Sequence, residues 1–103
     1  MLLYHWTTET AARSIVLNGF RDGTGWHLGK WMHGVWLSDR PLDTKEGPKG
    51  EVLLEVELSM TEQELEPYEW IEKWKWKSYR EFLLPAALVN ANARVRYAED
   101  VSI

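Results

Sequence analysis

The residue with the most distinctive chemistry is His5, which lies near the end of a short apolar and aromatic stretch at the start of the chain. Residues 2–6 are predicted to form a strand, because apolar and aromatic side chains favour a pleated, half-buried backbone. Thr7 and Thr8 follow, and either hydroxyl can cap the helix predicted over residues 8–18, which Gly19 would end. An imidazole at the end of an inner strand, facing a helix N-terminus, is well placed to meet a ligand. The alternative is a core histidine with one satisfied ring nitrogen.

Two other arrangements of reactive residues are less favoured. His27 and His33 could share a metal with an acid, but their six-residue spacing falls in a predicted loop and matches no standard ligand pattern, so we expect no metal. Ser38, His5 and Asp39 could supply a hydrolase-type triad, but the sequence contains no nucleophile elbow.

The chain also has seven tryptophans, and four of them precede residue 40: Trp6, Trp26, Trp31 and Trp36. Some must pack in the core, and one or two on a cleft would offer a flat surface for stacking a planar ring. Trp70 and Trp74 lie four residues apart on one face of a second predicted helix, residues 69–79, whose other positions are largely charged. If exposed, this aromatic face with its lysines would suit docking to another protein.

Composition and charge limit the classes of function. The formal net charge is −4 over 103 residues, and it is uneven: residues 1–40 carry +1, residues 41–69 carry −7 and residues 70–103 carry +2. The acidic balance disfavours wholesale nucleic-acid binding but leaves both ends able to host an anionic ligand. The absence of cysteine excludes disulfides, thiol catalysis and cysteine zinc sites. Without a membrane-length apolar run or a signal peptide, we expect one cytoplasmic domain, residues 1–103, with no membrane partner.

The remaining elements are predicted from periodicity and capping signals. Residues 20–32 are expected to form a loop punctuated by glycines, and the absence of a following Lys-Ser/Thr pair excludes a P-loop. Thr61 and Glu64 have the spacing of a capping box that opens a short helix, stopped before Pro67. Four further strands are predicted at residues 34–38, 51–58, 79–84 and 94–97. The order of a strand, a helix and then mostly strands is an α+β pattern rather than one of alternating βα units.

Several short motifs together resemble the ADP-ribosyltransferase superfamily, closest to its diphtheria-toxin-like and poly(ADP-ribose)-polymerase-like branch. They are His5 with Thr7, Asn18-Gly19-Phe20, Gly34-Val35-Trp36-Leu37-Ser38 and Arg80-Glu81-Phe82-Leu83-Leu84-Pro85. That branch has a His on the first core strand, a Tyr on a strand opening with Gly, and a Glu at the start of a later strand. The resemblance assigns these positions to His5, Trp36 and Glu81. It implies a small, mostly antiparallel split β-sheet with two or three helices.

The resemblance also implies a reaction, the transfer of ADP-ribose from NAD to an acceptor, with NAD as substrate and no metal. His5 would bind ribose hydroxyls, and Thr7 would flank the same pocket. Trp36 would stack on nicotinamide, with Ser38 at the end of its motif in the same binding set. Glu81 would offset the positive charge that develops on the sugar.

Two departures from the family pattern concern its aromatic residues. Trp36 replaces the family's Tyr and has no hydroxyl, and the second stacking Tyr is not identifiable, with Trp31 and Tyr79 as candidates. Glu81 also has a structural alternative, a surface carboxylate paired with Arg80 or Lys77.

Three functions therefore remain open. The first is an NAD-dependent ADP-ribosyltransferase of a compact toxin or effector type, acting on a protein, nucleic acid or small molecule. The second is a degenerate member that binds NAD or ADP-ribose without turnover. The third is a protein-interaction domain that uses the Trp70/Trp74 helix.

Overall fold

The computed structural model describes residues 1–27, 29–42, 52–71 and 77–98, apart from the side chain of His27. These residues form an α+β fold with a six-stranded antiparallel sheet and three α-helices, which confirms the predicted class. The strands are β1 (Leu2–Thr7), β2 (Gly23–His27), β3 (Lys30–Ser38), β4 (Val52–Leu58), β5 (Glu81–Leu84) and β6 (Ala93–Tyr97). The helices are α1 (Glu9–Asn18), α2 (Glu62–Leu65) and α3 (Ala86–Asn92), and a 3₁₀ turn (Glu66–Tyr68) follows α2.

The sheet is continuous on one side of β1 and opens on the other. Its order is β2-β3-β1-β4-β6, and β5 also pairs with β3. All six residues of β1 pair with β4, but β1 and β3 share only the pair Tyr4 and Ser38. Beyond that pair the two strands separate, and the first half of β3 pairs with β2 as a hairpin. We call this opening between β1 and β3 the fork.

The core lies on one face of the sheet, where alternation directs the apolar side chains. Leu3, Leu54, Val56, Leu37 and Phe82 are each at most 1% exposed. Ala12 of α1, Leu65 of α2 and Val89 of α3 are also fully buried, so each helix contributes to a buried interior. Side chains alternate along a strand, and residues paired across an antiparallel pair share a face. The alternation predicted for residues 51–58 is therefore confirmed over the described strand β4.

Helix α1 begins and ends as its sequence signals predict. The Thr8 hydroxyl accepts a hydrogen bond from the Ala11 amide at 3.1 Å, which satisfies one of the unpaired donors of the first turn. Gly19 follows the helix with φ of 87°, a backbone conformation that favours glycine, and donates its amide to the Ile15 carbonyl. The capping box of Thr61 and Glu64 is likewise confirmed at the start of α2. None of the helices in the described ranges combines the length and apolar character needed to cross a membrane.

Three sequence predictions about the elements differ from the structure. The predicted loop over residues 20–32 contains the β2–β3 hairpin, in which glycines hide the alternation and Trp26 pairs directly with Trp31. Helix α3 was not predicted, because its seven residues are too few for clear periodicity. The described ends of the predicted helix 69–79 are not helical, since Glu69 instead bridges Phe82 of β5. Its middle, residues 72–76 with Trp74, lies outside the described residues.

Candidate functional site

His5 is held at the fork by a hydrogen bond across it. Its Nδ1 lies 2.9 Å from the backbone carbonyl oxygen of Trp36, so the imidazole connects β1 to β3 where the strands no longer pair. A carbonyl can only accept, so Nδ1 must carry the proton and donate. In the neutral ring Nε2 then has a free lone pair and is an acceptor. No described residue donates to it.

The surroundings of His5 keep its ring neutral. Burial lowers the pKa of His5 below its ordinary value, and the hydrogen bond to the Trp36 carbonyl only partly opposes this effect. The buried Phe20 ring meets the imidazole edge to face, with ring centroids 5.2 Å apart. Phe20 is itself held by α3, because the Asn90 side chain pairs with both its amide and its carbonyl. The hydrogen bond and the Phe20 contact thus set the tautomer and orientation of the imidazole, and burial favours its neutral form.

A cavity of about 420 Å³ lies beside His5. This volume is in the range of small-molecule sites. Its wall is formed by β1, α1, the α1–β2 connection, and the hairpin with the first part of β3. The lining residues are His5, Thr7, Ala11, Ser14, Ile15, Gly19, Phe20, Arg21, Gly23, Thr24, Gly25, Met32, Gly34, Val35 and Trp36. Three residues of the predicted binding set, His5, Thr7 and Trp36, therefore meet at one cavity.

The hairpin wall owes its shape to glycines. Gly23, Gly25 and Gly34 share one face of the hairpin with Met32, because Gly23 pairs with Gly34 and Gly25 with Met32. A Cβ placed on Gly25 would meet nothing within 4 Å, so the cavity extends up to the backbone there. The opposite face carries Trp26 and Trp31, which are each 62% exposed. Trp31, a candidate second stacking aromatic, is not among the residues that line the cavity.

The Trp36 ring projects from the sheet on the side opposite the His5 ring. Tyr4 and Trp36 share a face, since Tyr4 pairs with Ser38 and Trp36 lies two residues before Ser38. The Trp36 ring packs edge to face on Trp70, with centroids 5.7 Å apart. Trp36 therefore meets His5 through its carbonyl, and the half-buried Trp70 packs against the fold rather than standing free.

Glu81, the predicted catalytic acid, is the first residue of β5 and pairs with Ser38 of β3. Its carboxylate is 2.9 Å from Nζ of Lys77, and the side chains are only 16% and 9% exposed. The alternative predicted for Glu81, an ion pair with Lys77, is therefore observed. The pair is largely buried and does not lie on the surface. Glu81 is not among the residues that line the cavity.

The neighbours of Glu81 hold the start of β5 in place. Arg80 pairs with Glu69 through two hydrogen bonds, of 2.9 and 3.2 Å, and also contacts Glu62. These contacts raise the pKa of Arg80 above its ordinary value, led by the hydrogen bonds to Glu69 and then Glu62, so the guanidinium stays charged. The Arg80 amide also donates to the Asp39 carboxylate at 2.8 Å.

Other predicted site residues have structural partners. Ser38 is buried, does not line the cavity, and donates its hydroxyl to the Arg40 carbonyl at 2.7 Å. Since Asp39 is bound to the Arg80 amide, Ser38, His5 and Asp39 form no triad. Tyr79, the other candidate for stacking, is buried, with Lys77 and Arg40 each within 5.5 Å of its ring centroid.

Two features of the site were missed from the sequence, Arg21 and the glycine wall. Arg21, Gly23 and Gly25 lie in the stretch predicted as a loop and Gly34 opens a predicted strand; the cluster of glycines was the available signal. His33, a candidate metal ligand, instead contacts the Thr24 hydroxyl at 3.1 Å. Within the described ranges, no three His, Asp or Glu side chains come together as metal ligands.

The comparisons with known proteins identify no relative. No family model matches the chain, and no curated protein and no solved structure matches it. The chemistry of the cavity at the fork is therefore the basis for assigning a function.

Proposed function

We propose that the chain binds NAD in the cavity at the fork and transfers its ADP-ribose to an acceptor. The observation that carries the proposal is the state of His5, a neutral imidazole whose Nδ1 is committed to the Trp36 carbonyl. Its Nε2 is left to accept a hydrogen bond from a hydroxyl, which is the role that the resemblance gives this histidine toward ribose. A charged imidazole would have no acceptor to offer.

The rest of the wall supports a nucleotide-sized ligand. Thr7 lies two residues beyond His5 and lines the same cavity, so its hydroxyl is available for a second polar contact. At Gly25 the hairpin lets a flat ring approach the backbone, because a Cβ there would meet nothing within 4 Å. A cavity of about 420 Å³ accommodates the nicotinamide–ribose half of NAD, and its open side leaves room for the remainder.

In the proposed reaction the bond between nicotinamide and ribose C1′ breaks, and its electron pair leaves with nicotinamide. The lone pair of the acceptor forms the new bond at C1′, and the acceptor's proton passes to a base or to solvent. Positive charge develops on the ribose before attack, so a nearby carboxylate stabilises the transition state more than the bound substrate.

Glu81 is the carboxylate that we assign to this role. It pairs with Ser38, two residues beyond Trp36 on β3, and so lies on the Trp36 side of the sheet. We place the scissile bond at the fork between β1 and β3, so that His5 lies on one side of the sheet and Glu81 on the other. In the absence of substrate, Lys77 neutralises the charge of Glu81. Turnover therefore requires that this ion pair break, so that the Glu81 carboxylate can stabilise the cation that develops on the ribose.

One observation favours a second candidate function, binding of NAD or ADP-ribose without turnover. The carboxylate of Glu81 is already paired with Lys77 in a largely buried site, and it does not line the cavity. If this pair persists with NAD bound, His5 and Thr7 still hold the ligand but no free carboxylate offsets the charge on the sugar.

One experiment separates the two candidates. The protein is incubated with NAD labelled in its adenylate part and with a cell lysate, and both released nicotinamide and labelled products are followed. NAD affinity is measured in parallel by calorimetry. A transferase releases nicotinamide and labels an acceptor, whereas a binder gives heat of binding and neither product. A protein that gives no heat with millimolar NAD would refute both candidates.

A further inference from the structure

Arg21 is a cation on the cavity wall that no described residue neutralises. It follows Phe20 in the connection between α1 and β2, its side chain is exposed, and the described residues offer it no ion pair or hydrogen bond. Among the described residues that line the cavity none is acidic, and burial favours the neutral form of His5. Arg21 thus gives the cavity a net positive charge, although the whole chain carries −4.

The residues on both sides of Arg21 are bound to α3, Phe20 through its backbone and Asp22 through its side chain. The Phe20 amide donates to Oδ1 of Asn90 at 2.8 Å, and Nδ2 of Asn90 donates to the Phe20 carbonyl at 2.9 Å. On the other side, the Asp22 carboxylate accepts from the Ala86 amide at 2.7 Å, at the start of α3. The chain that carries Arg21 is therefore held in place on both sides. Such preorganisation lowers the ordering cost of binding an anion.

The positions of Arg21 and His5 are linked through Phe20. The Phe20 ring contacts the His5 imidazole, with centroids 5.2 Å apart, and Arg21 is the next residue in the chain. The cavity thus presents a hydroxyl acceptor, Nε2 of His5, and a guanidinium with five donors, which matches the geometry of phosphate oxygens. A sugar hydroxyl and a phosphate on the same small molecule would satisfy both groups.

We propose that the cavity is selective for ribosyl phosphates, and that Arg21 recognises the phosphate attached to the ribose whose hydroxyl His5 binds. This inference rests on the proposed function and deepens it, because it assigns the phosphate end of the nicotinamide–ribose half of NAD to a named residue. Arg21 is a specificity determinant and takes no part in breaking the glycosidic bond.

The test compares two ligands that differ by one phosphate, nicotinamide mononucleotide and nicotinamide riboside. Calorimetry with the wild-type protein should give at least about tenfold tighter binding of the mononucleotide, the scale of one charged hydrogen-bonded contact. R21M should abolish that preference while leaving riboside affinity unchanged. R21K should retain part of it, because an ammonium keeps the charge but lacks the planar fork. The matched control is R13M, which removes an arginine of α1 that pairs with Glu9 at 2.9 Å and does not line the cavity.

The outcomes separate this inference from the proposed function. If the wild type binds NAD but does not distinguish mononucleotide from riboside, Arg21 is not a phosphate ligand and NAD binding stands. An equal loss of affinity in R13M and R21M would overturn the inference as well, since a general charge effect would then explain it. If NAD and the mononucleotide do not bind but ribose 5-phosphate binds in an Arg21-dependent way, the NAD proposal fails and the inference stands. Failure of all these ligands to bind overturns both.

Discussion

Filling the cavity at Gly25 should weaken ligand binding without weakening the fold. Gly25 lies in β2 opposite Met32, lines the cavity, and has open space where a Cβ would project. Its φ is outside the left-handed region, so a side chain there causes no backbone strain. A series from Gly25→Ala through Gly25→Val to Gly25→Leu would therefore extend progressively into the proposed nicotinamide–ribose position.

The expected sizes follow from packing energies. Forcing a ligand against extra methyl groups costs about 1–3 kcal/mol, which corresponds to roughly 5- to 150-fold weaker binding. We expect this range for Val and Leu, and a change within about twofold for Ala. The free energy of unfolding should rise by up to about 1 kcal/mol in the Val variant, because a glycine inside a strand is entropically costly and a β-branched residue fits a pleated surface.

The assay pairs NAD calorimetry with thermal unfolding of each variant. Gly34→Ala is the contrasting control, since its Cβ would lie 2.8 Å from the Leu84 carbonyl oxygen at a φ of 136° and should lower the Tm. If Gly25→Leu binds NAD as tightly as the wild type while remaining folded, the ligand does not occupy this cavity and the reasoning fails.

Three further predictions concern the charged and titrating groups. First, the pKa of His5 in the folded state lies below the ordinary 6.5, so in acid the unfolded chain binds more protons than the folded one. The free energy of unfolding should therefore fall as the pH drops below about 6.5, and His5→Gln should flatten this slope in thermal melts. Second, Glu81→Gln should lower nicotinamide release about a hundredfold with near-normal NAD affinity, and equal rates in the two proteins would exclude it as the catalytic carboxylate. Because that change leaves the largely buried Lys77 ammonium without its carboxylate, its cost in stability, about 1–3 kcal/mol, should be partly relieved when Lys77→Met is added. Third, Arg80→Met should destabilise the fold by about 1 kcal/mol, a modest loss because the guanidinium is 38% exposed, whereas Arg13→Met should cost less than half of that in urea unfolding.

The sequence allowed prediction where the local signal and the tertiary environment agree. Strand β4 alternates apolar and acidic residues because one of its faces is buried and the other carries pairs such as Glu55 with Arg96. Helix α1 was predicted with its cap and terminator, because Thr8 and Gly19 make contacts within their own helix. Such interactions depend on residues a few positions apart, which a sequence displays directly.

The features that escaped prediction depend on distant residues. The hairpin wall uses glycines for space beside the cavity, and glycine is otherwise a signal for loops. Nothing local indicates that Asn90 holds Phe20 from 70 residues away, or that Arg21 beside it is left without a partner among the described residues. The sequence left Arg80 and Lys77 as possible partners of Glu81. The structure selects Lys77, because Arg80 is committed to Glu69 and Glu62.

The most direct test of the central claim observes the two ring nitrogens of His5 by ¹⁵N nuclear magnetic resonance, assigned with a His5→Gln variant. The free protein should give a neutral ring with the proton on Nδ1, bound to the Trp36 carbonyl. Titration with NAD should shift the Nε2 resonance as a ribose hydroxyl donates to it, while Nδ1 stays protonated. If both resonances remain unchanged at NAD concentrations that saturate calorimetric binding, His5 does not contact the ligand and the NAD site lies elsewhere.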